Sequence, residues 1–159
     1  MHIAIHAVGR MKAGPERDLA ARYLDRFAKV GPPLGLDYDG LREIPESRAA
    51  SALERRADEA ARLSANLGSG LLVLLDETGR DMGSDDLAGW IGARRDAGAR
   101  LMTLAIGGAD GHDAALRQRA DLSLSFGRQT WPHQLVRIML AEQLYRTATI
   151  LSGHPYHRG

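Results

Sequence analysis

The sequence contains no cysteine among its 159 residues. This absence excludes disulfide bonds, thiolate nucleophiles and cysteine-based zinc sites, and it is typical of a reducing compartment. The sequence also lacks any apolar run near the ~18 residues that a membrane span needs, and its first residues do not have the pattern of a signal peptide. We therefore expect a cytoplasmic protein with no membrane partner.

Acidic residues are nearly absent from the C-terminal part of the chain. The net charge is only +1, yet of the 20 acidic residues only Glu142 follows Asp121. That stretch also holds Arg128, Arg137, Arg146, Arg158, His133, His154 and His157. If it meets the basic first 30 residues, the two would form a positive face suited to a polyanion. Alternatively, the N-terminal Lys and Arg side chains are simply solvated on a helix face.

Several familiar site motifs are missing as well. No G-x-G-x-x-G follows the first predicted strand, and neither a P-loop motif nor a G-x-S-x-G elbow is present. His154 and His157 have the spacing of metal ligands, but without cysteine or an H-E-x-x-H motif they favour zinc only weakly. We therefore predict no metal, and a site that works without a covalent nucleophile.

Strand-like and helix-like segments alternate along the whole chain, which predicts one α/β domain over residues 1–159. The predicted strands cover residues 2–8, 36–44, 71–75, 101–106 and 122–126. The wholly apolar run Leu71–Leu75 predicts a central parallel strand covered on both faces. Predicted helices begin at Pro15, after caps at Ser47 and Ser84, at Ala114 and after Pro132. Residues 76–84 are predicted to form a loop.

Three loops follow predicted strands, after Leu75, Ile106 and Phe126. Open parallel sheets bind ligands at the carboxyl ends of their strands, so these loops form the candidate site. The loop 107–111 is rich in glycine, which lets a ligand approach backbone N–H and C=O groups closely, as an adenosine-containing cofactor requires. A tight turn between a strand and a helix is the alternative explanation of these glycines.

The last predicted helix, from Pro132 to about Leu151, carries apolar residues on more than one stripe. Such breadth indicates either a helix buried centrally in its own domain or one with a second apolar face for a partner subunit. Gly153 ends the helix and releases the tail 154–158, HPYHR. This tail is either a frayed terminus or part of a site.

Five sequence blocks identify a family when they are read together. They are LLDETG at 74–79, IGGADG at 106–111, LSFGRQTWPH at 124–133, VRIMLAEQLYR at 136–146 and HPYHR at 154–158. In this order the chain resembles, over its full length, the bacterial 23S ribosomal RNA pseudouridine N3-methyltransferases. These are small SPOUT or α/β-knot enzymes that use S-adenosylmethionine. The resemblance implies a mostly parallel sheet, helices on both faces and a trefoil knot in the C-terminal half.

The resemblance also implies the residues of the site. Its cofactor pocket corresponds to Leu75, Gly107, Phe126, Gly127, Arg128, Gln129, Thr130 and Trp131. Methylation of a uracil-type N3 needs a group that accepts its proton and a cation that stabilises the anionic base. The catalytic candidates are His133, His154, Tyr156, His157 and Arg158. Of these, His154 or His157 would be the base and Arg158 would hold phosphate or base.

From the resemblance we expect a homodimer that shares its substrate site and methylates N3 of a pseudouridine in 23S ribosomal RNA on assembled ribosomes. The terminal helix would lie at the dimer interface. Two alternatives remain open: a catalytically inactive RNA-binding protein of the same fold, and a knotted enzyme that acts on another RNA or on a ribose 2′-OH. RNA bound largely through phosphates should dissociate as salt rises, with Tyr156 and Arg158 as candidates for stacking on an unpaired base.

Overall fold

A computed structural model describes residues 1–157 and contains one five-stranded sheet. The strands are β1 (His2–Val8), β2 (Asp37–Ile44), β3 (Leu71–Asp81), β4 (Leu101–Ile106) and β5 (Leu122–Ser125). The helices are α1 (Pro15–Val30), α2 (Ala52–Ser64), α3 (Ser84–Asp96), α4 (Ala114–Arg119) and α5 (His133–Leu151), with a 3-10 turn at Pro32–Leu34. The strand order is β2-β1-β4-β3-β5, and every pairing is parallel.

The two faces of the sheet bury separate cores. On one face, Ile3, Leu104 and Ile106 pack with residues of α1, α3 and α5, among them Phe27, Ile91 and Leu140. On the other face, Val8, Leu74 and Ala105 pack with Leu63 of α2 and Leu116 of α4. Because successive residues of one strand enter opposite cores, the central strands are apolar throughout.

Helix α5 lies between α1 and α3 on the first face. Its face toward the sheet includes the buried residues Leu140, Ala141 and Leu144. Leu135, by contrast, stays 39% exposed. Burial against the sheet therefore explains much of the broad apolar surface predicted for α5. A second apolar strip, near the beginning of the helix, stays exposed at Leu135.

Strand β3 is longer than predicted, and the prediction of a loop over residues 76–84 was wrong for residues 76–81. After an irregularity beyond Leu75, Arg80 pairs with Leu124 and Asp81 pairs with Ser125. Gly79 allows this close approach, because a Cβ there would lie 2.7 Å from the backbone carbonyl group of Ser123. Pairing with a neighbouring strand, rather than an apolar pattern, makes this charged segment extended.

The predicted helix caps at Ser47 and Ser84 were also wrong. Ser51 caps α2 through a capping box: its Oγ accepts from the Glu54 N–H at 3.2 Å, and the Glu54 carboxylate accepts from the Ser51 N–H at 3.0 Å. Ser47 is buried before the helix, where its N–H donates to Glu59 at 2.9 Å. Ser84 is the first residue of α3 and donates its hydroxyl to Gln143 of α5.

The predicted α/β class, the parallel sheet and the helices on both faces are confirmed over residues 1–157. The trefoil knot stays a prediction. Among the helices of this part of the chain, none is long and apolar enough to cross a membrane.

Candidate functional site

The middle of β3 and the loops after β4 and β5 surround one cavity of about 540 Å³. Its walls come from residues 75–77, 106–112, 127 and 129–133, with Arg117 and Val136 beside them. The volume lies within the roughly 300–1,000 Å³ of small-molecule sites. The structure thus brings together the three segments that follow Leu75, Ile106 and Phe126, although the first of them belongs to β3 and only the other two are loops.

The wall after β4 depends on the absence of a side chain at Gly107. A Cβ at this position would lie 3.1 Å from Cε1 of the His112 ring and 3.2 Å from both ring nitrogens. Such contacts are tighter than packed side chains normally make, so alanine here would displace the imidazole. Backbone atoms of the loop therefore form this part of the cavity wall.

His112 is buried and joins the segment after β4 to strand β3. Its Nε2 lies 3.1 Å from the carbonyl oxygen of Leu75 at the end of the apolar part of β3. Burial lowers the pKa of His112, although the charge of Asp76 opposes this shift. The ring is therefore neutral at neutral pH, and Nε2–H donates to the Leu75 carbonyl.

Asp76 places a carboxylate in the cavity wall. Its Oδ1 accepts from the Thr78 N–H at 2.9 Å and from the Thr78 hydroxyl at 2.8 Å. Arg117 Nε lies 2.8 Å from Oδ2, as an ion pair whose N–H is not aligned for a hydrogen bond. Burial raises the pKa of Asp76, but the bonds from Thr78 and the charge of Arg117 outweigh burial and leave the pKa lowered. The carboxylate is therefore charged.

Two hydrogen bonds within the segment 125–131 stabilise the loop after β5. Ser125 Oγ accepts from the Gly127 N–H at 3.1 Å, and Gly127 has a φ of +105°, which favours glycine. Trp131 Nε1 donates to the Phe126 carbonyl at 3.2 Å, and the indole is 38% exposed at the cavity. These bonds give the loop a defined path although most of its side chains face outward.

The predicted cofactor residues fall into two groups. Those at the cavity are Leu75, Gly107, Gly127, Gln129, Thr130 and Trp131, together with the predicted catalytic residue His133. The Phe126 side chain instead lies in a hollow of about 260 Å³ beside Leu19, Ile138 and Met139. Arg128 is exposed at the surface of the loop. Phe126 therefore contributes to the cavity region through its carbonyl bond to Trp131.

The tail residues fold back onto the middle of α5 in their own chain. The Tyr156 hydroxyl donates to Glu142 Oε1 at 3.0 Å, and its ring meets Tyr145 edge to face with centroids 4.7 Å apart. Burial, with hydrogen bonds to Tyr23 and Glu142, raises the pKa of Tyr156. Its hydroxyl therefore stays protonated and can donate.

The two tail histidines are also engaged. His157 Nδ1 lies 3.2 Å from an Arg146 nitrogen and Nε2 lies 3.1 Å from Asp85 Oδ2. Because Arg146 can only donate, Nδ1 is the acceptor and Nε2–H donates to Asp85. His154 is exposed, and its Nδ1 accepts from the Tyr156 N–H at 3.1 Å. Arg158 lies outside the described residues.

Within one chain, the described tail residues therefore lie apart from the cavity. Val136 lines the cavity, whereas Glu142, six residues further along α5, accepts the hydrogen bond from Tyr156 of the tail. Six residues of α-helix span roughly 9 Å. His133 reaches the cavity, and His154, Tyr156 and His157 do not join it within one chain over the described residues.

Sequence reasoning missed a buried arginine, Arg137, that fixes the start of α5. Its NH2 donates to the carbonyls of Val8 at 2.8 Å and Gly9 at 2.7 Å, and its NH1 donates to Glu43 at 2.6 Å. Burial lowers the pKa of Arg137, opposed by the charge of Glu43. Nothing in the local sequence signals this role, because its partners lie more than ninety residues away.

Other missed residues belong to the cavity, namely His112, Asp110 and Arg117. Arg117 lies one turn into the helix that follows the glycine-rich loop, a position from which a side chain can point back at that loop. That placement was the available signal. Within residues 1–157, no group of three His, Asp or Glu side chains is arranged to hold a metal. The prediction of no metal stays a prediction.

Comparison with known proteins identifies the family of the chain. The family described as "Predicted SPOUT methyltransferase" matches residues 1–157. The chain belongs to this family. The resemblance carried by the five sequence blocks is therefore confirmed, and with it the methyltransferase class.

The similar proteins include three curated relatives named ribosomal RNA large subunit methyltransferase H. The relative from Mesorhizobium japonicum is 64% identical over 99% of both chains. The relative from a Chelativorans species is 61% identical over 99% of this chain and 91% of its own. The relative from Brucella anthropi is 60% identical over 99% of both chains.

A solved structure is also similar, at a much greater distance. It is the SpoU methyltransferase AviRb from Streptomyces viridochromogenes in complex with AdoMet, 15% identical with a TM-score of 0.40. The match covers 92% of this chain and spans 59% of the length of that protein.

Proposed function

We propose that this protein transfers a methyl group from S-adenosylmethionine to N3 of a pseudouridine in 23S ribosomal RNA, on assembled ribosomes in the cytoplasm. The observation that carries the proposal is the cavity that the strand-end loops of a SPOUT family chain form. The names of the curated relatives support large-subunit ribosomal RNA as the substrate. The particular base and atom rest on the family resemblance.

The cavity fits an adenosine-containing cofactor. Its wall at Gly107 is bare backbone, which can pair with the edge of a base. The residues that would hold the cofactor are Leu75, Gly107, Gly127, Gln129, Thr130 and Trp131, with Phe126 and Arg128 shaping the same loop. When bound, S-adenosylmethionine supplies an electrophilic methyl group.

We further infer that a second copy of the chain completes the site. The separation of cavity and tail supports this, because the described tail side chains bond Glu142, Arg146 and Asp85 and do not line the cavity of their own chain. The strip near the start of α5 supports it as well. Leu135 is 39% exposed there, beside the apolar hollow that contains Ile138 and Met139. A second α5 packed on this face would bring a tail toward the neighbouring cavity.

The tail would supply the proton acceptor and the hydrogen-bond donors for the target base. The target N3 must lose its proton, and His154 or His157 would accept it. In the described arrangement the acceptor nitrogen of each ring already accepts a hydrogen bond, from Arg146 in His157 and from the Tyr156 N–H in His154. That hydrogen bond must break before the ring can accept the proton of N3. Tyr156 keeps its hydroxyl proton and can donate to a base carbonyl. His133 at the cavity and Arg158 would stabilise negative charge on the base.

The test uses ribosomes from a strain that lacks this protein. Mass spectrometry of their 23S RNA should show a pseudouridine without its N3-methyl group. The purified protein should then transfer about one labelled methyl group per ribosome, and ribosomes from the parent strain should accept none. Unchanged modification in the deletion strain would overturn the proposal. Salt-sensitive ribosome binding without transfer would instead support the inactive RNA-binding alternative.

A further inference from the structure

Helix α2 holds the glycine-rich loop (residues 107–112) from outside the cavity. Arg55 Nε donates to Asp110 Oδ2 at 2.7 Å and Arg55 NH2 donates to Oδ1 at 3.1 Å. The two side chains are partly buried, at 31% and 24% exposure. A bidentate pair of this kind fixes the orientation of both groups as well as pairing their charges.

Two further contacts connect the same helix to the loop. Arg56 NH1 donates to the Asp110 carbonyl at 3.4 Å. Glu59 is buried directly beneath Gly108, where a Cβ would lie 2.5 Å from Glu59 Oε2. One face of α2 therefore supports the loop at both its side-chain and its backbone atoms.

The loop depends on this external support. A backbone bond from the Gly111 N–H to the Gly108 carbonyl, 3.0 Å long, closes its turn. Its glycines, however, have no side chains with which to fix its position. His112 fixes the loop on the sheet side through Leu75, and Asp110, which also lines the cavity, fixes it on the side of α2. A shift of the loop would therefore move the backbone wall at Gly107.

We propose that Arg55 and Asp110 form a positioning pair for the cofactor, which sets the path of the glycine-rich loop so that its backbone can bind S-adenosylmethionine. The proposal rests on the proposed function, because it places the cofactor in this cavity. Arg55 acts through the loop from behind the cavity wall. Loss of the pair should therefore weaken cofactor binding more than it weakens the fold.

The same helix contains a matched control. Arg62 donates through Nε to Asp58 Oδ1 at 3.1 Å and through NH2 to Oδ2 at 2.7 Å. This pair has the same chemistry, at 40% and 39% exposure, but both partners lie on α2. Both arginines also bond the segment before α2, Arg55 at the Ala49 and Ala50 carbonyls and Arg62 at the Pro45 carbonyl. Arg55→Gln and Arg62→Gln thus each remove one bidentate pair and contacts to this segment, and only the first releases the loop.

The experiment measures the dissociation constants of S-adenosylmethionine and S-adenosylhomocysteine by calorimetry, and Tm, for the full-length variants. Arg55→Gln should weaken binding about tenfold, or about 1.4 kcal/mol, which is the size of one lost hydrogen bond to the cofactor. Arg62→Gln should leave affinity within about twofold at a similar change in Tm, since exposed pairs contribute little. Arg55→Lys should be intermediate, because an ammonium cannot pair in the bidentate geometry.

Equal affinities of Arg55→Gln and Arg62→Gln would overturn the positioning role. If the wild-type protein itself fails to bind S-adenosylmethionine, the proposed function fails instead. A double-mutant cycle with Asp110→Asn adds a second readout, because the double variant should bind no more weakly than Asp110→Asn alone. Additive losses would overturn the pair by showing that Asp110 acts on the cofactor independently of Arg55.

Discussion

The cavity and the tail contact different parts of α5 and are built in different ways. The cavity wall includes glycines at positions 107, 108, 111 and 127, which present backbone atoms beside the other lining side chains. The tail is held by side chains, since Glu142 Oε1 accepts from Arg146 at 3.0 and 2.6 Å and from Tyr156 at 3.0 Å. Backbone walls suit the binding of a cofactor, whereas a polar side-chain cluster suits proton transfer and charge. Variants of the two regions should therefore fail differently.

The largest expected effect is at the tail. Arg158→Ala should reduce methyl transfer to ribosomes by at least about a hundredfold, because removing one group that stabilises transition-state charge costs about 10²–10³ in rate. Affinity for S-adenosylmethionine should stay nearly unchanged. Single-turnover transfer and calorimetry together test this difference. An equal loss of cofactor binding would contradict the assignment of Arg158 to the target base.

The next effect is at the cavity and has the opposite pattern. Gly107→Ala places a methyl group 3.1–3.2 Å from the His112 ring, which must shift and strain its bond to Leu75. We expect cofactor affinity to fall about tenfold and stability to fall by about 1–3 kcal/mol.

Gly89→Ala is the matched control for Gly107→Ala. An added Cβ at Gly89 has nothing within 4 Å, and the residue lies within α3. Alanine there should stabilise the protein by up to about 1 kcal/mol and leave cofactor affinity unchanged. Cofactor binding by Gly107→Ala at wild-type strength would show that the cofactor does not use this wall.

A smaller effect is expected within the tail cluster. Tyr156→Phe removes the hydroxyl that donates to Glu142, a bond of a kind that contributes about 0.5–1.5 kcal/mol. Transfer should fall by roughly two- to twelvefold, with cofactor affinity unchanged. Tyr38→Phe is the control, since Tyr38 packs edge to face on Phe27, away from both regions. Equal transfer by both variants would remove Tyr156 from the chemistry.

The smallest effect is a pH dependence of stability on the cavity side. Burial lowers the pKa of His112 below its unfolded value of 6.5, so the unfolded chain binds more protons below that pH. The contribution of His112 is complete above pH 6.5 and is lost as pH falls toward its folded pKa. Urea titrations between pH 8 and pH 5 should show this loss, and His112→Gln should reduce the slope. Burial likewise lowers the pKa of His6, so part of the slope will remain.

Much of the cavity could be predicted from the sequence because topology alone brings parallel strand ends together. The apolar run Leu71–Leu75 and the glycines after Ile106 were sufficient to mark two of its walls. The cap at Ser51 was also readable, since Glu54 completes a capping box that Ser47 lacks. Proton transfer, however, needs specific side chains in contact, and those contacts join distant positions.

The missed features share that physical cause. Residues 76–81 carry charges that disfavour a strand, and only their pairing with β5 makes them extended. Arg55 and Asp110 are 55 positions apart and meet because α2 crosses beside the end of β4. The hydrogen bonds from the tail to Asp85 and Glu142 likewise join positions that no local sequence pattern relates. Periodicity detects the faces of single elements, not the pairs that two elements form.

Arg137 has a consequence for the order in which the chain can fold. Its guanidinium bonds carbonyls 128 and 129 positions earlier and a carboxylate 94 positions earlier. Contacts of such separation are slow to form, because the loop they close must be ordered before they contribute. The carbonyls at the end of β1 therefore gain these hydrogen bonds only after α5 has been synthesised and has packed. A nascent chain that ends before α5 leaves a buried acceptor site without its donor, so folding should finish only after nearly the whole sequence has been synthesised.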